Sequence, residues 1–186
     1  VLVPGRNYHF AAGDDGELDL HRTETASDAL HPDRNTRIVK VKAVVDVEYR
    51  RKFPDWQQRI GSLIERVSAH FDGYFGIRFA LVDCQPWDDQ CVGRPANESL
   101  IQLFKVKSDS AQLVVGFTVI DVSRWQQAEL GVTNNFGKYL LIRESTSPAL
   151  ANRSELIVLH ELCHVFGAFH VDDPRSVMQP AIENCP

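Results

Sequence analysis

Residues 160–170 read HELCHVFGAFH, which gathers three of the chain's 7 histidines. On a helix, side chains four positions apart lie on one face. His160 and His164 therefore point the same way and can grip one metal ion. Zinc takes imidazole nitrogen at ~2.0–2.1 Å in a near-tetrahedral site. Gly167 lets the chain turn sharply after the helix, so His170 can return as a third ligand, and the fourth position stays open to water. Glu161, next to His160, sits on the flank of the same face. It can draw a proton from that water and pass it to a leaving amine. Five specified residues at these offsets arise by chance in roughly one in ten thousand chains of this length. Structural zinc sites favour four protein ligands rich in cysteine, whereas three histidines beside a glutamate leave a catalytic opening. Cys163 is turned ~80° from the shared histidine direction, at ~100° per residue. It is expected to pack in the core or bridge to Cys185.

A helix must hold the pair. Asn152 and Glu155 form a capping-box pattern, and the spacing predicts a helix over 153–166 that stops at Gly167. Upstream, RIVKVKAVVDVE (37–48) reads as a valine-rich strand with Lys40 and Lys42 on solvated faces. Residues 54–72 carry Trp56, Ile60, Leu63, Ile64, Val67 and Phe71 at spacings of three and four, the stripe of an amphipathic helix. His70 on that helix is read as a surface or packing residue. A second strand spans 76–83 and a short helix 98–107. QLVVGFTV (112–119) is apolar on both faces and is expected to be central in the sheet. WQQAELGVTNNFG reads as a loop. KYLLIR (138–143) follows as a strand whose Lys138 and Arg143 suit an edge. The fold class is α/β (α+β): a mixed twisted sheet with two long helices. Residues 1–35 form an N-terminal arm or pro-segment remnant, and 36–186 a catalytic domain.

HELCHVFGAFH resembles the long zinc signature of the metzincins, HExxHxxGxxH. Ser176-Val177-Met178 resembles their Met-turn, with Met178 as an apolar floor under the metal, and its distance from His170 is most similar to the matrixin branch. The resemblance implies a zinc-dependent endopeptidase with an upper subdomain over 36–167 and a very short lower one over 168–186. It implies one catalytic Zn²⁺, and no stretch like the calcium or second zinc loops of matrixins is identifiable. A substrate peptide would add itself along the edge strand, past Lys138, Tyr139, Leu140 and Leu141. Pro180, Ala181 and Ile182 would wall the pocket beyond the cleaved bond. The alternative is a catalytically silent zinc-containing peptide-binding module or adhesin domain, but such a module has no need of Glu161.

The chain has 186 residues, 44% apolar, with a net charge of -5. No basic stripe is available to displace phosphate counterions, which argues against nucleic acid. No apolar run reaches the ~20 residues of a membrane helix. The expected partner is a protein or peptide substrate, met by a monomer. Among 4 cysteines, Cys84 and Cys91 bracket QPWDDQ and are expected to staple that loop. Cys163 and Cys185 are expected to tie the tail to the zinc helix. Two disulfides would place the protein in a secreted or extracytoplasmic setting.

Overall fold

The computed structural model describes residues 8–12, 18–22, 36–89, 91–121, 129–147, 153–173 and 175–180. A small antiparallel pair, β1 (Tyr8–Ala12) and β2 (Leu18–Arg22), lies in the N-terminal segment. The main sheet has five strands: β3 (Arg37–Val45), β4 (Ile77–Pro86), β5 (Leu113–Ile120), β6 (Gly131–Thr133) and β7 (Tyr139–Ser145). Their order is β4-β3-β5-β7-β6. The first four run parallel and β6 runs antiparallel to β7. β5 is central, as its two apolar faces require.

The faces of this sheet are covered differently. Val39, Val41, Ala43 and Val45 of β3 meet α2 (Trp56–Phe75) and α4 (Ser154–Val165) in the main core. The α2 stripe is the expected one, with Ile60, Leu63, Ile64, Val67 and Phe71 buried. Gly76, at φ 62°, ends the helix with its N–H on the Asp72 and Phe71 carbonyls. On the opposite face, Val44, Val114 and Leu141 pack with Trp87, Cys91 and the residues Leu100 and Leu103 of α3 (Ala96–Leu103).

β3 is shorter than the valine-rich stretch 37–48 suggests. Asp46 stops it and caps α1 (Val47–Lys52), accepting the Tyr49 N–H at 2.8 Å. Its other oxygen accepts the Thr118 hydroxyl at 2.6 Å and the Cys91 N–H at 3.4 Å. The carboxylate thus joins β3, α1, β5 and the 87–95 loop at one buried point. Lys42 is buried too, against the expectation of a solvated face. Its ammonium reaches Asp109 at 2.6 Å and Asp83 at 3.5 Å, which makes the burial tolerable.

Two further expectations are corrected. The strand 138–143 is not an edge. β7 is paired with β5 on one side and with β6 on the other. The triplet Gly131–Thr133 is too short to show a strand period, and it takes the edge instead. Leu140 and Leu141 are fully buried. Lys138 donates to the Ser108 hydroxyl, and the Tyr139 hydroxyl donates to the Val106 carbonyl. Neither of those side chains lies on a free edge. Arg143 is also buried, donating to the carbonyls of Glu129 and Arg94.

The expected disulfides are absent as well: Cys84, Cys91 and Cys163 are free thiols. Cys84 pairs with Ala43 across the strands and packs against the main core, while Cys91 lies in the cluster under the opposite face. The sheet stands between them. Cys163 is buried in the main core, and Cys185 lies outside the described residues. With them goes the redox argument for a location outside the cytoplasm.

Asp46→Ala removes a cap, about 1 kcal/mol, and strands buried donors at ~1–3 kcal/mol. Chemical denaturation should show a loss of about 2–4 kcal/mol. A loss below about 0.5 kcal/mol, the scale of ordinary surface changes, would refute the role given to Asp46.

Candidate metal centre

α4 is buried along most of its length: Leu156, Ile157, Val158, Leu159 and Leu162 all belong to the main core. Helix α2 holds its first turn. Glu155 accepts from Arg66 at 2.7 Å and lies 3.0 Å from His70 Nε2. That is the carboxylate expected to complete a capping box. Asn152 lies outside the described residues, and the side chain of Arg153, at the N-cap, makes no capping hydrogen bond. His70 is therefore a partner of Glu155, on the helix's far end from His164.

At the other end, Phe166 is the C-cap and Gly167 stands at φ 89°. The Ala168 N–H donates to the Cys163 carbonyl and the Gly167 N–H to the His164 carbonyl, both at 2.9 Å. This is the Schellman closure, which favours glycine at the left-handed position. A Cβ there would lie 2.5 Å from the ring of Phe136, in the turn between β6 and β7. The chain leaves this turn pointing back, and His170 returns to the helix face.

The result is a triangle of imidazole nitrogens. Nε2 of His164 lies 3.0 Å from that of His160 and 3.1 Å from that of His170. The third side is 3.2 Å. Two backbone carbonyls fix the rings. His160 Nδ1 is 2.6 Å from the Val177 oxygen and His164 Nδ1 is 2.8 Å from the Ala168 oxygen. A carbonyl only accepts, so each Nδ1 carries the proton and each Nε2 presents a lone pair. Lone pairs facing one another at these distances repel unless a cation lies between them. Ligands at ~2.0–2.1 Å around a tetrahedral zinc are themselves ~3.3 Å apart. The donor set fits a zinc ion. Burial, followed by its histidine neighbours, holds His160 down to about 4, and the same causes lower His170, so both stay neutral donors at ordinary pH.

The Met-turn residues are placed by the same contact. Ser176, Val177 and Met178 are buried. The Met178 N–H donates to the Ser176 hydroxyl, and the Val171 N–H donates to the Met178 carbonyl. Met178 packs in the main core. The residue that touches a ligand is Val177, through its carbonyl, and no side-chain pattern could have named it. The same is true of Ala168. Pro180 is exposed, while Ala181 and Ile182 lie outside the described residues.

Glu161, the residue after His160, is buried with its carboxylate against Gly131 of β6. Burial pushes its carboxyl up to about 8, and Glu129 adds to the rise. A dication at the histidines acts in the opposite sense. Cys163 faces the core and is not among the converging ligands.

A family model described as Metallo-peptidase family M12, of reprolysin type, matches residues 35–186. The chain belongs to metallo-peptidase family M12. No curated protein sequence matches it. Among solved structures, archaemetzincin from Methanopyrus kandleri is similar, with TM-score 0.55 and 19% identity over 80% of this chain and 84% of that one. A chain in a structure described as a chaperone–substrate complex is similar at TM-score 0.54 and 11% identity. That match covers 97% of this M12 chain but 31% of the other. At such identities the likeness is one of fold. The family makes this protein a zinc metallopeptidase, which acts on proteins or peptides.

Alanine at His160, His164 or His170 should each lower zinc content sharply by elemental analysis, while His70→Ala should leave it unchanged. Equal zinc in all four variants would refute the ligand set.

Proposed function

We propose that this protein is a zinc endopeptidase of metzincin type, with Glu161 as its general base. The observation that carries the reading is the convergence of three imidazole nitrogens, with the buried Glu161 next to the first of them along the helix. His160, His164 and His170 would hold the ion. When bound, zinc supplies a Lewis acid that polarises a carbonyl and acidifies water.

The chain's own groups would do the rest. Glu161 takes the proton of the attacking water and delivers it to the departing amine. The substrate peptide lies along β6, the strand at the end of the sheet order. There its main chain can add one more antiparallel or parallel partner, and its side chains meet the surface around the metal. The carbonyls of Val177 and Ala168 keep two ligand rings from turning as the peptide enters. Pro180 and the two residues after it would wall the pocket beyond the cleaved bond. The short step from His170 to Met178 supports a matrixin-like branch within the family's wider class. A catalytically silent peptide receptor would gain nothing from burying a carboxylate next to its first metal ligand.

Cleavage of a denatured protein mixture should appear with the zinc-loaded enzyme and vanish on chelation. Glu161→Ala should keep its zinc and fold yet lose ~10²–10⁴ in kcat, the range for a lost acid–base group. Near-normal turnover by that variant would leave the silent-module reading dead and the base unassigned.

A further inference from the structure

Gly131 has an ordinary backbone: its φ is not in the left-handed region, and no turn demands a glycine there. A strand position prefers a side chain, since glycine costs conformational entropy and packs nothing. The three atoms nearest to where a side chain would begin all belong to Glu161. A Cβ on Gly131 would stand 2.5 Å from Oε1, 2.6 Å from Cγ and 2.8 Å from Cδ of Glu161. No other atom is so close. Cγ, Cδ and Oε1 of Glu161 thus fill the space that a Gly131 side chain would take.

This backbone is itself held. The Arg143 N–H donates to the Leu130 carbonyl at 2.8 Å, and its guanidinium donates to the Glu129 carbonyl at 3.2 Å. Gly131 pairs with Ile142 in register. Buried Arg143 therefore fixes the segment entering β6, and β6 fixes the surface on which the carboxylate rests. Glu161 is 5% exposed, so it has little free volume in which to retreat.

We propose that Gly131 is a positioning residue for Glu161: the bare backbone of the edge strand is the seat that sets where the carboxylate stands. This rests on reading Glu161 as the general base. It assigns the glycine a task in the reaction, though it touches neither metal nor water. It also couples the strand proposed to bind the peptide to the group proposed to move its proton, because the two share one residue.

Relieving a 2.5 Å contact requires a shift of about 1 Å, and misplacement of that size costs on the order of 10²-fold in rate. Gly131→Ala should lower kcat on that order with KM changed less than about threefold, and zinc content should stay intact. The decisive measurement is thermal unfolding of the zinc-loaded protein in two backgrounds. Gly131→Ala should lower Tm in the native sequence, where the methyl meets Glu161. In the Glu161→Ala background the obstacle is gone, so the same change should leave Tm unchanged or raise it, as Gly→Ala does where space allows. If Gly131→Ala alone fails to fold while the double variant folds, the same conclusion follows. An unchanged kcat, an equal fall of Tm in both backgrounds, or failure of both variants to fold would overturn the proposal. Full turnover by Glu161→Ala would sink the base assignment by itself, and the Tm comparison would still report on the seat.

Discussion

Three imidazole nitrogens that meet within 3.2 Å, two of them with lone pairs turned inward, call for something positive among them. That electrostatic demand organises the C-terminal third of the chain. The proton on each of two rings is sent outward to a carbonyl, from Val177 and from Ala168, so that the lone pairs turn inward. Both carbonyls come from segments that must fold back after α4. The glycine turn at 167 and the buried Ser-Val-Met triplet are thus parts of one device for choosing tautomers. Without the ion, the same arrangement is a cluster of repelling dipoles, so metal affinity and the order of residues 164–178 are coupled.

The sheet and α2 serve this device by denying α4 any freedom. α4 is buried almost throughout, pinned by Glu155 at one end and by the Schellman closure at the other. Glu161 packs against Gly131 of β6, a strand at the end of the sheet. The buried carboxylate and the strand edge are therefore neighbours as a matter of layer packing, before any chemistry is considered. Buried charges elsewhere do similar structural work. Asp46 ties four segments together, and Arg143 replaces a carboxylate partner with two carbonyls.

The metal centre was legible in the sequence because it is local. His160, Glu161 and His164 need only helix geometry, and Gly167 announces the turn that returns His170. The amphipathic stripe of α2 and the doubly apolar β5 were legible for the same reason. What failed was non-local. Lys138 and Arg143 read as edge charges, yet Arg143 is buried through backbone acceptors that no side-chain pattern reveals. GVT at 131–133 is too short to alternate. The valine-rich run of β3 continues past Asp46, which only its hydrogen bonds mark as a cap. Cys84 and Cys91 are close in sequence but lie on opposite faces of a sheet, and chain distance carries no sign for that. The carbonyl partners of His160 and His164 have no residue identity to read at all.

The edge offered by β6 is three residues long, or roughly 10 Å at ~3.4 Å per residue. Unlike β4, the 10-residue strand at the other end of the sheet, an edge so brief is poor material for a second sheet to grow on. It also limits what backbone pairing can contribute to holding an extended chain. On the proposed placement of the peptide, discrimination among sequences would fall to side chains flanking the scissile bond, and long, unstructured segments would be favoured over folded hairpins, which could not bend into so small a berth.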